Sequence, residues 1–325
     1  MLAPSRIVGL DIARSLAIIG MIVLHMASLV WHTKVILNGL PAALFAILAG
    51  VTLMLMSRDF TATTFLRIIA RGCIITLIGL ALLPVGGEIQ IVLVVIGITM
   101  ILVSWVPPLR WWWKLLLLAA ATAAATIKYA PLTLPQVYPL LAYCAYFLAG
   151  MLLYEVYIRS SRAAAQWVST GIAAAVAAAG FYFRFNPDMP GWLRFTGHTG
   201  VLGEIVLSIA VAAIVLHLCL LIGRTVPKLA YPFAALGAMS LSIYILHVLT
   251  AYYWQSHVSL HNTGWACAFI ALFLVLASLW RRLIGKGPAE WAVAKTIAIA
   301  VPAGKKDYSC STKSSLPCSP PASWH

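Results

Sequence analysis

The sequence predicts an all-α membrane protein, a polytopic bundle of about ten transmembrane helices, on three observations. The first is composition: 62% of the 325 residues are hydrophobic, only 9% are charged, and the mean hydropathy is +0.97. A soluble domain carries about a quarter charged residues. This chain therefore has too little polar surface to face water and needs lipid as its solvent.

The second observation is a series of continuous apolar runs of about 20 residues, the length that crosses ~30 Å of hydrocarbon. Because the runs are continuous rather than alternating, they indicate helices and not barrel strands. The third is that proline marks the breaks between runs, for example at Pro84, Pro107–Pro108, Pro131 and Pro227. We expect helices near 9–30, 38–57, 63–83, 86–105, 109–127, 134–158, 163–183, 202–224, 229–254 and 262–284.

The net charge of +14 has a topological explanation. With ten spans and a cytoplasmic N-terminus, Arg14 lies inside the first span and nearly all other basic residues face the cytoplasm. Only Lys34, Lys128, Arg184 and Arg194 fall on the outer side. This asymmetry predicts that both termini are cytoplasmic. The excess charge then has anionic lipid headgroups as its partner, and no nucleic-acid function is expected.

Two segments are predicted: a transmembrane bundle over residues 1–302, and a disordered cytoplasmic tail over 303–325, which is rich in Ser, Pro and Lys. The sequence holds no metal signature such as H-E-x-x-H and no phosphate-binding G-x-x-x-x-G-K-[ST]. We therefore expect neither a metal cofactor nor ATP coupling.

The first helix carries the strongest functional signal. Asp11, Arg14 and His25 lie inside one apolar span, where each charged residue costs at least ~2.5–3.5 kcal/mol. At about 100° per residue, all three share one helical face. Asp11 and Arg14, three residues apart, can form an ion pair. The stripe predicts a cavity or a functional helix interface, against the simpler alternative of a self-neutralising pair and a structural histidine.

Further candidates lie towards the two ends of the bundle. Towards the outer end, Glu204 either orients the ring of His198 or caps its own helix. Tyr244 and His247 follow Ser240 on one face of the ninth helix, where they line a tunnel or bond within the bundle.

Towards the inner end, Arg67 and Arg71 lie four residues apart on the third helix. Guanidinium groups suit phosphate ligands. Ordinary cytoplasmic positive charge is the alternative.

Several motifs carry a family resemblance. Arg14 and His25 fit an R-x₁₀-H pattern that resembles the first-helix signature of acyltransferase-3 membrane proteins. The segments RIVGLDIARSLAIIGMIVLHM and NGLPAALFAILAGVTLMLMSR, with Gly50 in the second, more closely resemble the YeiB and heparan-alpha-glucosaminide N-acetyltransferase group. Similar motifs follow at 197–212, 236–249 and 287–291, the last after a Trp-Arg-Arg sequence.

The resemblance implies a bundle in a bacterial plasma membrane that takes an acyl group, usually acetyl, from cytosolic acyl-CoA. The acceptor would be a glycan or glycolipid on the far side. His25 matches the acyltransferase-3 histidine, whereas the acetyltransferase group places its histidine in the following loop, where His32 is the nearest candidate. The catalytic set expected is His25 or His32 with Asp11 and Glu204.

The remaining candidates, Arg14, Arg67, Arg71, His198, Tyr244 and His247, would bind CoA or substrate. The alternative function is a transporter or flippase in which the intramembrane charges relay protons or bind a polar headgroup. A homo-oligomer is compatible with the sequence.

Overall fold

The computed structural model describes residues 6–132, 137–255, 257 and 261–302, and every regular element within them is helical. The predicted tail, 303–325, lies outside the described residues. In chain order the helices are α1 (Val8–Met26), α2 (Trp31–Leu37), α3 (Leu40–Met56), α4 (Ala62–Leu82), α5 (Leu93–Leu102), α6 (Trp111–Tyr129), α7 (Leu140–Tyr154), α8 (Ala163–Arg184), α9 (Leu202–Thr225), α10 (Tyr231–Ala238), α11 (Ser240–Gln255), α12 (Thr263–Leu283) and α13 (Pro288–Ala300).

The predicted all-α, polytopic membrane bundle is confirmed, although the number of full-length spans is smaller. In the described part of the chain, seven helical stretches are long and apolar enough to cross a membrane, or eight if α10 and α11 form one bent span. α5 has ten residues, about 15 Å at 1.5 Å per residue, which is half of the hydrocarbon thickness. α6 has 19 residues but begins with Trp111–Trp113 and Lys114, and it is not among the seven.

The predicted ninth helix, 229–254, is not continuous. α10 and α11 meet at an angle of 81° around Met239. The bend is fixed from both sides. A Cβ atom on Gly237 would lie 1.7 Å from the backbone oxygen of Asp11, so α10 is pressed against α1. The first turn of α11 is bonded to α13 through Glu290, which accepts from the N–H groups of Leu241 and Ser242 at 2.7 and 3.2 Å.

α1 lies at the centre, packed against α3, α9, α10, α11 and α12. α1, α3, α7 and α9 are more than half buried, whereas less than a third of α4, α8 and α12 is buried. The exposed surface of these outer helices is apolar, as lipid contact requires. The polar residues of α1 are therefore enclosed by other helices along most of its length.

Glycine permits the closest helix contact, between α3 and α7. A Cβ atom on Gly50 would lie 2.2 Å from the Phe147 carbonyl oxygen, and one on Gly150 would lie 2.0 Å from that of Ile47. The two backbones therefore touch through paired glycines, the arrangement by which membrane helices gain packing energy without a hydrophobic driving force.

Candidate functional site

Two cavities lie at opposite ends of α1. We call the first the histidine cavity; its volume is about 360 Å³. It is lined by Met21, Leu24, His25, Lys34, Asn38, Gly39, Pro41, Ala42, Glu88, Ile89, Gln90, Tyr138, His198 and His261. Three of the chain's histidines therefore face one space, although they are far apart in sequence.

The end of α1 positions His25 in this cavity. α1 stops at Met26, and Ala27 is extended. The Met26 carbonyl accepts the N–H of Asn262 at 2.8 Å, and the Ser28 hydroxyl donates to the carbonyl of His261. Because these bonds join the end of α1 to the start of α12, His25 and His261 line the same part of the histidine cavity.

Glu204 holds the His198 loop through its backbone. Its carboxylate accepts the N–H groups of His198, Thr199 and Gly200 at 2.8, 2.8 and 2.7 Å. His198 has a φ of 65°, a left-handed conformation that is strained for a non-glycine residue. Glu204 thus contacts the His198 backbone and not its ring, whose Nδ1 lies 2.7 Å from the Val137 carbonyl.

Arg184 holds together the backbone next to the histidine cavity by hydrogen bonds. This role was not predicted from the sequence. Its buried guanidinium donates to the carbonyls of Val35 and Phe195, each at 2.8 Å, and to that of Asn38. The Asn38 backbone also lies against Gly197, where a Cβ atom would come within 2.3 Å of the Asn38 oxygen. From topology alone, Arg184 is an outer positive charge. In the structure it has a structural role, because its carbonyl partners join the C-terminal end of α2 to the loop before α9.

His247 lies behind His25. Their rings stack with centroids 5.8 Å apart. His247 is buried, and neither ring nitrogen has a hydrogen-bond partner among the described residues. Its neighbour Tyr244 accepts the N–H of Val92 at 3.2 Å. A buried polar group without a hydrogen-bond partner costs ~1–3 kcal/mol of stability. His247, unlike Tyr244, therefore has hydrogen-bonding capacity that no described residue uses.

His32 lies outside the histidine cavity. It is exposed on α2, where its ring contacts Trp31 and Phe185. Two residues that the sequence reasoning did not assign to a site, Glu88 and Tyr138, do line the cavity. Tyr138 donates to the Gln90 carbonyl at 2.9 Å. Burial raises the pKa of its phenol well above the ordinary value, so Tyr138 remains a neutral donor at this wall.

The second space, which we call the arginine cavity, has a volume of about 350 Å³. Five basic side chains reach it: Arg6, Arg14, Arg71, Arg281 and Lys286. Its other walls are Phe45, Leu48, Ala49, Thr52, Ile75, Leu93, Ile96, Met100, Gly237, Ala238, Ser240, Leu241, Gly287, Glu290 and Ala294. The lining of the cavity is thus partly cationic and partly apolar.

The predicted Asp11–Arg14 ion pair is confirmed. An Arg14 nitrogen lies 2.7 Å from one oxygen of the buried Asp11, and the other Asp11 oxygen accepts from Arg6. The second terminal nitrogen of Arg14 donates to the Thr52 hydroxyl at 2.7 Å. Arg14 is therefore held by α1 and α3 together, with one edge turned to the arginine cavity.

Arg67 and Arg71 have different surroundings. Arg67 donates to the Val301 carbonyl at 3.2 Å, beyond the end of α13, and does not line the arginine cavity. Arg71 does line it and forms no hydrogen bond or ion pair within the described residues. Of the predicted pair, only Arg71 offers the cavity a guanidinium without a protein partner.

Asp11 and Arg14 should be energetically coupled. Arg14→Ala leaves the buried Asp11 with Arg6 alone, so thermal stability in detergent should fall. The loss in Asp11→Ala/Arg14→Ala should be smaller than the sum of the two single losses by about 1 kcal/mol. The measurement is thermal unfolding of the unaltered protein, the two single variants and the double variant. Strictly additive losses would contradict an energetic role for the contact.

The predicted site residues fall into two groups. Fourteen residues separate Asp11 from His25, about 21 Å along the helix axis. Arg14 and Arg71 line the arginine cavity, and Asp11 is paired with Arg14. His25 and His198 line the histidine cavity, where Glu204 holds the His198 loop and Tyr244 and His247 lie behind His25. Within the described residues, no group of three or more His, Cys, Asp and Glu could hold a metal ion.

A family comparison bears on the second half of the chain. Residues 155–299 match the family described as "Protein of unknown function (DUF418)". The matched range includes the motifs at 197–212 and 236–249 and the segment at 287–291, and it supports the resemblance to YeiB-like proteins at the level of the family. No curated protein matches the chain. The matched family's description names no activity.

Proposed function

We propose that this protein is a membrane-embedded acyltransferase. It would move an acyl group, acetyl in the simplest case, from acyl-CoA to a glycan or glycolipid acceptor. The observation that carries the proposal is the pair of cavities on α1, one lined by five basic side chains and the other by three histidines. Donor and acceptor would meet from opposite ends of one helix, with the arginine cavity on the cytoplasmic side of a bacterial plasma membrane.

The arginine cavity suits an anionic donor. Its acidic neighbours, Asp11 and Glu290, are already engaged, Asp11 by Arg6 and Arg14 and Glu290 by the first turn of α11. An excess of positive charge remains in a partly enclosed space. Guanidinium groups bind phosphate oxygens through charge-assisted, often bidentate hydrogen bonds, and CoA presents a diphosphate.

The apolar lining residues of the same cavity suit the rest of the donor. Phe45, Leu48, Leu93 and Ile96 line it and offer no competing charge to a pantetheine arm. Arg14 and His25 are eleven residues apart, about 16 Å along α1. A thioester at the end of an extended pantetheine would have to cover this distance to reach His25.

His25 is the group best placed to act on an acceptor. A neutral imidazole can accept the proton of an acceptor hydroxyl or amine as its oxygen or nitrogen attacks the thioester carbonyl. The new C–O or C–N bond forms, the C–S bond breaks, and the thiolate of CoA leaves and takes up a proton. Ordinary general-base catalysis of this kind contributes ~10²–10⁴-fold to a rate.

A carrier remains the competing function, and one observation favours it. The unpartnered ring of His247 beside His25 is a place where a proton could be passed on between the two cavities. A carrier of protons or small solutes has no need of CoA, however. Binding of acetyl-CoA therefore discriminates between the two functions.

Arg71→Gln should weaken binding of acetyl-CoA by about tenfold or more, since a hydrogen bond to a charged group contributes ~1.5–3 kcal/mol. Arg67→Gln is the matched control: the same charge is lost one turn earlier on α4, outside the arginine cavity. It should bind nearly as the unaltered protein does. Isothermal titration of the purified chain in nanodiscs measures both.

Two results would count against the proposal. If the unaltered protein does not bind acetyl-CoA at millimolar concentration, the transferase function is wrong and the carrier gains support. If Arg67→Gln weakens binding as much as Arg71→Gln does, the donor lies elsewhere than in the arginine cavity.

A further inference from the structure

A third cavity, which we call the second arginine cavity, lies beside the arginine cavity at the start of α1. Its volume is about 450 Å³. It is lined by Arg6, Ile7, Val8, Gly9, Arg58, Ile158, Leu220, Gly223 and Arg224. Nothing in the proposed function uses it.

Arg6 is paired with Asp11, but the other two arginines of this cavity, Arg58 and Arg224, have no acidic partner within the described residues. None of the described residues that line it is acidic. Arg58 and Arg224 are exposed, and their side chains form no ion pair or hydrogen bond within the described part of the chain. Two arginines from different elements, one after α3 and one in the last turn of α9, thus converge on one space with no protein partner to hold them.

The backbone of α1 adds to the positive potential. α1 starts at Val8, and its N-cap residue, Ile7, provides no side-chain cap. The first turn of a helix leaves N–H groups without an intrahelical acceptor, and its dipole favours an anion. Gly9 is buried against the backbone of α9, where a Cβ atom on Gly223 would lie 2.6 Å from the Gly9 nitrogen, so the two helices are in backbone contact beside this cavity.

Arg6 joins the two cationic spaces, because it lines both of them. Gly9 in one and Arg14 in the other are five residues apart, about 7.5 Å along α1. One ligand can therefore place one phosphate group in each cavity if both phosphates are attached to the same small group, such as a sugar ring. A ribose phosphorylated at both its 3′ and 5′ positions has this form.

We propose that the second arginine cavity binds the 3′-phosphate of coenzyme A while the arginine cavity takes its diphosphate. The inference rests on the proposed function and deepens it, since it names the part of the donor that is recognised. The acyl donor is then a free CoA thioester. An acyl chain on the phosphopantetheine of a carrier protein lacks the nucleotide and would leave the second arginine cavity empty.

The test compares acetyl-CoA with acetyl-dephospho-CoA, which lacks only the 3′-phosphate. The unaltered full-length protein in nanodiscs should bind acetyl-CoA at least about tenfold more tightly, as expected for a charge-assisted phosphate contact. In Arg58→Gln/Arg224→Gln the affinity for acetyl-CoA should fall to that for acetyl-dephospho-CoA, which itself should change little. Arg110→Gln, an exposed arginine at the start of α6, should keep the preference.

A competition experiment needs no variant. Adenosine 3′,5′-bisphosphate should displace bound acetyl-CoA at concentrations about tenfold lower than adenosine 5′-monophosphate does. Equal affinities for the two thioesters, or equal competition by the two nucleotides, would overturn this inference and leave the proposed function standing. Absence of binding by both thioesters would overturn the proposed function, and with it the inference.

Discussion

His25→Ala should lower acyl transfer by at least about 100-fold, because the imidazole would no longer accept the proton of the attacking group. His25 is the histidine of α1 that lines the histidine cavity. Acetyl-CoA binding should be retained, since the arginine cavity lies about 16 Å away along α1. The measurement is transfer of radiolabelled acetyl groups from acetyl-CoA to envelope glycolipid in vesicles that contain the purified variant.

His32→Ala is the matched control for this prediction. His32 is exposed on α2 and packs on Trp31 and Phe185, so its loss should leave transfer close to normal. Size-exclusion profiles and acetyl-CoA titrations show whether both variants are folded. An inactive His32→Ala beside an active His25→Ala would move the chemistry to the loop after α1. Activity in both would exclude His25 and His32 as the catalytic base and contradict the proposed mechanism.

Gly150→Ala should cost about 2–3 kcal/mol of stability or more, as overpacking of a tight core does. The added Cβ atom would lie 2.0 Å from the Ile47 carbonyl oxygen, a backbone atom that cannot swing away. α3 and α7 would have to separate, and α3 carries the Thr52 contact of Arg14. Thermal unfolding in detergent measures the loss, and a reduced yield of monodisperse protein should accompany it.

Gly171→Ala provides the comparison. Gly171 lies on the exposed helix α8, and a Cβ atom there meets nothing within 4 Å. Alanine is favoured over glycine within a helix by ~0.5–1 kcal/mol, so this variant should be as stable as the parent or slightly more stable. Equal unfolding temperatures for Gly150→Ala and Gly171→Ala would show that the α3–α7 contact is looser than the structure indicates.

The prediction of the fold from sequence succeeded where the signal was local. Apolar runs reflect the cost of exposing polar backbone to lipid, and this cost acts on each segment by itself. The Asp11–Arg14 pair was predictable for the same reason, since three residues along one helix fix the distance between the side chains. The sequence predicted more full-length spans than the structure contains. Hydrophobicity shows that a segment avoids water, but it does not show how long the helix within that segment is; α5, with ten residues, is the example.

The prediction of the site was limited by its dependence on distant segments. Glu204 and His198 are neighbours in sequence, yet the turn at His198 directs the carboxylate to backbone N–H groups. Arg184, Glu88 and Tyr138 gave no local sign of a site. Arg281 and Glu290 belong to motifs that were noted for their family resemblance alone. Their position near Arg14 follows from the packing of α10 and α12 on α1 and of α13 on α4 and α11.

The sequence by itself determined the class of the protein, the approximate positions of its helices and the unusual chemistry of α1. The tertiary structure decided that Arg14 faces one cavity while His25 faces another, that α10 and α11 meet at 81°, and that the ring of His247 stacks on His25. The physical reason is that hydropathy and helical periodicity act within about twenty residues. Cavities form where helices that are distant in the chain fail to fill the space between them, and that depends on every packing contact at once.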